Sequence, residues 1–177
     1  MAVELILIRH GESEGNVGRS SDPDCPLTEA GLEQARQVGR QLAGYDLRGF
    51  AGLVSPYRRT RQTAEAIALA TGLSFAIEEG VREWGPAATI NNRHYPVEPG
   101  EQLVERLRDF LRRYEGRKLV VISHAAPIAA LTQVAWGESP NTQGAFWEGV
   151  NNCCLRWLKA TLNPCASQCQ FNGSDLR

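Results

Sequence analysis

The chain carries three histidines, His10, His94 and His124, and two of them follow strongly apolar runs. Val3-Glu4-Leu5-Ile6-Leu7-Ile8 precedes Arg9-His10, and Leu119-Val120-Val121-Ile122 precedes Ser123-His124. An imidazole at the end of a buried strand can serve as nucleophile, general base or hydrogen-bond donor near neutral pH. A third apolar run, Ala51-Gly52-Leu53-Val54, ends at Ser55-Pro56 and is followed by Arg58, Arg59 and Arg61. Two imidazoles and one or two guanidiniums converging at one edge would make a compact pocket for a dianion. Phosphate suits such a pocket, because the planar Arg fork matches its oxygens with paired, charge-assisted hydrogen bonds. Only residues three or four apart share a helix face, so Arg58, Arg59 and Arg61 cannot all point into it. The plainer alternative for each histidine is a strand end whose ring satisfies loop backbone. Two such histidines, each with basic or polar company, favour the shared pocket.

The elements that must position these groups are legible from periodicity. Residues 3–8 read as a buried strand stopped by Arg9-His10-Gly11. After a polar, glycine-containing stretch (11–26), Thr28 opens a helical pattern through Leu32, Ala35, Val38 and Leu42, with Thr28 as N-cap and Gly44 as the stop. The run 51–54 leads into an Ala-rich helix at 57–71 closed by Gly72. Leu73–Ile77 is a candidate third strand, and 80–100 is a glycine- and proline-rich connection. Leu103, Leu107, Phe110, Leu111 and Tyr114 then mark one face of a helix ending before Gly116. Residues 119–122 are the clearest strand, followed by a helix whose first turn accommodates Pro127. Cys153–Lys159 alternates enough for a last strand. Strands alternating with helices require crossovers, which predicts an α/β fold with a mostly parallel sheet and helices on both faces. Ligands in such sheets collect at the carboxyl ends of the strands.

Composition narrows the function classes. The 177 residues are 42% hydrophobic and 22% charged with a net charge of -1, which excludes general disorder and removes any bulk basic excess for nucleic acid. No run approaches the ~20 apolar residues of a membrane span, and Met1–Leu5 lacks a basic leader region, so the expected location is the cytoplasm, with neither nucleic acid nor membrane as partner. Five cysteines (Cys25, Cys153, Cys154, Cys165, Cys169) contain no CxxC pair, which argues against a zinc ribbon and a disulfide framework. A single domain over 1–162 is expected, with 163–177 a weakly ordered tail.

The motifs resemble a known family. Leu7-Ile8-Arg9-His10-Gly11-Glu12-Ser13, Asn16, and Leu27-Thr28-Glu29-Ala30-Gly31 with Gln34-Ala35 look like the opening of the histidine phosphatase superfamily, the phosphoglycerate mutase-like proteins. Ser55 through Ala64 is similar to the family segment that places its arginine on Arg59. Val81-Arg82-Glu83 resembles the acid-bearing segment, and Val120–His124 the second-histidine segment. The resemblance implies a three-layer sandwich and a phosphatase working without metal or other cofactor, because arginines supply the positive charge. His10 would be the nucleophile, forming a phosphohistidine; Arg9, Arg59 and His124 would bind the phosphoryl group; Glu83 would protonate the leaving alcohol; Asn16 would add a contact to phosphate or substrate. The substrate would be a phosphorylated small molecule or phosphoprotein. One departure is Ala125, where the family usually has Gly after the second histidine.

Three rival readings remain. Gly11-Glu12-Ser13-Glu14-Gly15 fits a serine-hydrolase elbow with His124 and Asp109 as partners, although the residues that follow are poor helix material. A non-catalytic anion-binding protein should have lost one of His10, Arg9, Arg59, His124 or Glu83, and all five are present. Phosphoglycerate mutase-type transfer is the third; only 15 residues (84–98) separate Glu83 from Pro99, a thin cover that favours water as acceptor. Arg82, Arg93, His94 and Tyr95 are candidate rim residues.

Overall fold

The computed structural model describes residues 2–138, 140 and 149–161. Among these residues, seven strands and four α-helices run in the order β1 (Ala2–Arg9), α1 (Glu29–Leu42), β2 (Phe50–Val54), α2 (Arg58–Thr71), β3 (Phe75–Ile77), β4 (Ala88–Ile90), β5 (Arg93–Tyr95), α3 (Gly100–Arg113), β6 (Lys118–Ser123), α4 (Ala125–Ala135) and β7 (Leu155–Thr161). Five strands form one sheet in the order β3-β2-β6-β1-β7. All its pairings are parallel except β1 with β7.

Period-two alternation divides the core. Leu5, Leu7, Leu119 and Val121 pack with Leu107, Phe110, Ile128 and their neighbours under α3 and α4, while Ile6, Ile8, Val120 and Ile122 pack with Val38, Leu42 and Ile67 under α1 and α2. Both faces of β1 and β6 are therefore covered, which is why these strands read as unbroken apolar runs. The expected three-layer α/β/α arrangement is present. Register then does the positioning. Arg9 lies opposite Ser123, so His10 and His124 leave the sheet side by side; Val54 lies opposite Ile122, so Ser55 emerges next to them.

The turn after β1 is held by backbone contact. A Cβ on Gly11 would lie 2.3 Å from the Gly31 carbonyl oxygen, and one on Gly31 would lie 2.0 Å from that of Glu12. Only two glycines allow this crossing. The Thr28 hydroxyl accepts from Gly31 N–H at 3.0 Å as N-cap and donates to Glu12 Oε1 at 2.7 Å, so the first helix and the histidine-bearing turn share their hydrogen bonds.

Three expectations are corrected. The connection 80–100 contains a β4–β5 hairpin, whose two turn residues Asn91 and Asn92 take φ of 51° and 62°, the left-handed pair of a tight hairpin loop. The last strand begins at Leu155, because Cys153 has φ 52° and cannot be extended. The first helix ends at Leu42, with Ala43 rather than Gly44 at its cap. The tail 163–177 lies outside the described residues, as does Met1. Among the described residues no helix is long and apolar enough to cross a membrane.

Candidate active site

At the carboxyl ends of β1, β2 and β6 the side chains of His10, Arg59 and His124 are almost sealed from solvent, at 2%, 8% and 0% exposure. His10 Nδ1 lies 2.7 Å from the carbonyl oxygen of Gly11. A carbonyl only accepts, so Nδ1 carries the proton and Nε2 holds the lone pair. Arg59 Nε donates to that Nε2 at 3.1 Å. The same guanidinium donates through Nη2 to His124 Nδ1 at 3.1 Å and through Nη1 to the Pro23 carbonyl at 2.6 Å. Since guanidinium cannot accept, His124 Nδ1 is unprotonated and its Nε2–H donates to Ser55 Oγ at 2.7 Å. Both rings are therefore neutral, each in a tautomer set by its partners. Burial, reinforced by the Arg59 charge, pushes both imidazoles well below their ordinary value.

Arg59 is the one of the three candidate arginines that enters this cluster. Arg58 is exposed, its backbone N–H held by Asp24, and Arg61 donates to Asn91. Thr63, one turn after Arg59, donates to the Arg59 carbonyl and accepts from Gly11 N–H. Tyr57 supports the cluster from beside it: its ring packs edge-on to His124 at 4.8 Å, with the Arg59 guanidinium 4.6 Å from the ring centroid. Arg9 donates through Nη1 to the Val150 carbonyl at 2.6 Å, while its buried Nε has no hydrogen-bond partner among the described residues.

Glu83 reaches the cluster from the segment that follows β3. Its Oε2 lies 3.3 Å from His124 Nδ1 and 3.5 Å from Arg59 Nη2, and Oε1 accepts from Trp84 N–H at 3.0 Å. Burial pushes this carboxyl above its usual range, against the pull of Arg59. A Glu83 carboxylate would face the His124 Nδ1 lone pair, which already accepts from Arg59 Nη2, a second reason for the carboxyl to hold its proton. His10, His124 and Glu83 present three ligand-type atoms within 4.8 Å of one another. The Arg59 guanidinium lies among them, which gives the cluster the charge of an anion site rather than a cation site.

The remaining expected residues sort by role. Asn16 is exposed, and its Oδ1 accepts from Ser13 N–H and from Asn152 Nδ2. Asn152 also donates to the His10 carbonyl at 3.0 Å, so Asn16 is joined to the site through the backbone of His10. Ala125 starts α4, directly after His124, and its methyl belongs to the apolar cluster with Val81 and Leu103. The first turn of this helix adds the positive end of its dipole beside His124. Arg82, Arg93 and Tyr95 are not free rim groups: Arg82 pairs with Glu98, and Arg93 and Tyr95 both bond Glu79. His94 is exposed on the hairpin, 3.5 Å from Thr89 Oγ1. The serine-hydrolase arrangement is absent, since Ser13 is buried in a turn with Asn16, and Asp109 is paired with Arg112. The sequence marks Ser55 as the end of an apolar run but assigns it no role, and it does not mark Asn152 at all. Ser55 follows the apolar run 51–54, a signal that could have flagged it; Asn152 carries none.

The α/β sheet thus delivers two neutral imidazoles and a bridging arginine to one edge, as a compact and locally cationic cluster. Residues 5–94 match the family model of the histidine phosphatase superfamily (branch 1), and the chain belongs to that superfamily of enzymes. It is 39% identical over 83 residues to the probable phosphoglycerate mutase GpmB of Photorhabdus laumondii, an alignment that covers 46% of this chain and 38% of that relative's length. It is 28% identical over 169 residues to the uncharacterized phosphatase PhoE of Bacillus subtilis, covering 85% of both chains. The fold matches the structure of a mycobacterial glucosyl-3-phosphoglycerate phosphatase with a TM-score of 0.65 at 20% identity, over 90% of this chain and 91% of that one.

Proposed function

We propose that this protein hydrolyses phosphomonoesters through a covalent phosphohistidine on His10, without metal or organic cofactor. The observation that carries the reading is the fixed tautomer of His10, with Nδ1–H on the Gly11 carbonyl and the Nε2 lone pair beside Arg59. In the first half-reaction Nε2 attacks phosphorus as the P–O bond to the alcohol breaks. Glu83 gives its proton to the departing oxygen. Arg9 and Arg59 hold the equatorial oxygens, where preorganised donors contribute most to phosphoryl transfer, and His124 joins them as the imidazolium, its Nδ1 taking a proton from solvent as the incoming dianion raises its affinity for protons. Because Arg59 Nε shares the lone pair of Nε2, binding of phosphate must draw that N–H onto a phosphoryl oxygen, freeing the nucleophile as the substrate enters. In the second half-reaction water attacks phosphorus, the N–P bond breaks, and the Glu83 carboxylate takes the proton of water. Asn16 acts on this site by holding the His10 turn.

Hydrolysis rather than transfer to a second alcohol is supported by the short segment after Glu83, which folds into a small hairpin with three-residue strands. The substrate would be a phosphorylated small molecule or phosphoprotein. A panel of phosphate esters, with 3-phosphoglycerate and a phosphohistidine peptide included, tests the reading. Release of inorganic phosphate with an acid-labile, base-stable phosphoenzyme is the expected outcome. Isomerisation of 3-phosphoglycerate without net phosphate release would replace it with the mutase reading.

A further inference from the structure

Glu98 is a carboxylate almost wholly removed from solvent, its side chain only 7% exposed. Oε1 accepts from Arg82 Nη2 at 2.8 Å and from Arg106 Nε at 2.8 Å, and Oε2 accepts from Arg106 Nη2 at 2.6 Å. The Glu98 backbone carbonyl accepts from the Trp84 indole N–H at 2.7 Å. Arg106, projecting from α3, also donates through Nη1 to the carbonyls of Gly80 at 2.7 Å and Arg82 at 3.3 Å. Arg82 and Trp84 are the two neighbours of Glu83 in the chain. Glu98 thus grips the chain on both sides of Glu83, once with its carboxylate and once with its own peptide group.

A buried ion pair of this kind is a weak source of net stability, because desolvating the charges offsets most of their attraction. It is a strong source of geometry, since the paired Arg106 fork fixes direction as well as distance. No strand or helix holds residues 82–84. We propose that Glu98, through Arg82, Arg106 and Trp84, is a positioning residue that aims the Glu83 carboxyl at the leaving oxygen. The inference rests on Glu83 being the general acid. A misplacement of about 1 Å in such a group costs on the order of 10²-fold in rate, and it costs most where the leaving group most needs a proton.

Charge gives an independent readout. Arg59, Arg9 and Arg106 all favour the ionised form of Glu83, with Arg106 the smallest of the three effects. Tyr57 and His124 also face it. Glu98 neutralises Arg106, so removing the carboxylate leaves Arg106 and Arg82 uncompensated and makes Glu83 lose its proton at lower pH.

The test compares Glu98→Gln, Arg106→Lys and Glu83→Gln with the parent enzyme on a series of phosphate esters from nitrophenyl to alkyl. Glu98→Gln is expected to lose about tenfold in kcat on alkyl phosphates, at least fivefold more than on nitrophenyl phosphate. KM should be little changed, and the alkaline limb of the alkyl-phosphate pH profile should move to lower pH. Arg106→Lys keeps the charge and loses the fork, so the leaving-group effect should appear without the pH shift. It carries the same test if Glu98→Gln does not fold. An equal loss across the series, or no loss, in whichever of these variants folds overturns the positioning role while the acid assignment stands, provided Glu83→Gln still discriminates by leaving group. If Glu83→Gln itself shows no discrimination, the acid assignment falls, and this inference with it.

Discussion

The two sides of the site are built by different means. His10, His124 and Arg59 are placed by backbone: parallel register brings Arg9 level with Ser123, and only three residues separate the end of β2 at Val54 from the start of α2 at Arg58. Glu83 is placed by side chains, through a loop tied by Arg106, Arg82 and Tyr95 to the buried or half-buried Glu98 and Glu79. The floor of histidines and arginine inherits the rigidity of a central sheet, whereas Glu83 has only as much precision as its ion pairs supply. Substitutions in the floor should therefore lower turnover of every ester alike, and substitutions on the acid side should sort esters by leaving group.

The strongest challenge to that contrast is His10→Ala. It should abolish nitrophenyl and alkyl phosphate turnover together, with no phosphoenzyme and a cooperative thermal transition retained; residual turnover through an acid-labile intermediate would move the nucleophile elsewhere. Next comes Arg59→Gln. Removing a donor to the transferring group costs about 10²- to 10³-fold, and the loss should be the same for both ester classes in steady-state assays. Glu83→Gln should cost about 10²-fold on alkyl phosphates and far less on nitrophenyl phosphate, so parallel losses would erase the distinction between the two sides.

The pH profile sharpens the same point. His10 must be neutral, and burial has depressed its affinity for protons below that of an ordinary histidine, so activity falls only when pH drops through a value well under 6.5. Glu83 must be protonated, and burial has raised it above 4.5, so activity on alkyl esters falls as pH rises through that elevated value. A bell-shaped profile bounded by these two limbs is expected, and Glu83→Gln should remove its alkaline limb. The smallest effect belongs to Asn152→Ala. Losing one hydrogen bond to the His10 carbonyl, worth about 1 kcal/mol, should lower all esters about fivefold without leaving-group dependence.

The same contrast explains what sequence reasoning could read. β1 and β6 are buried on both faces, so they appear as apolar runs, and the histidines that end them stand out by position. Helical spacing says only that Arg58, Arg59 and Arg61 cannot all share a face; it is the resemblance of Ser55–Ala64 to a family segment that singles out Arg59. The acid side left weaker traces. β4 and β5 have three residues each, too few for a period to register. The partners Arg106 and Glu98 are eight residues apart across a helix start, a spacing with no pattern of its own. The direction of β7 was equally hidden, because alternation in a strand is the same whichever way it runs. Asn152 acts across 142 positions of chain, a distance at which no local rule operates.

The hydrogen bond from His10 Nδ1 to the carbonyl of the next residue has a regiochemical consequence. An imidazole can carry phosphate on either nitrogen, and the two products are different compounds. With Nδ1 committed to Gly11, a phosphoryl group on His10 can reside only on Nε2, giving the tele isomer. The ring would then bear a positive charge shared between N–P and N–H, and the Gly11 carbonyl dipole would face that charge. On the phosphohistidine reading, a single backbone oxygen would thereby select one constitutional isomer of the intermediate and stabilise it electrostatically.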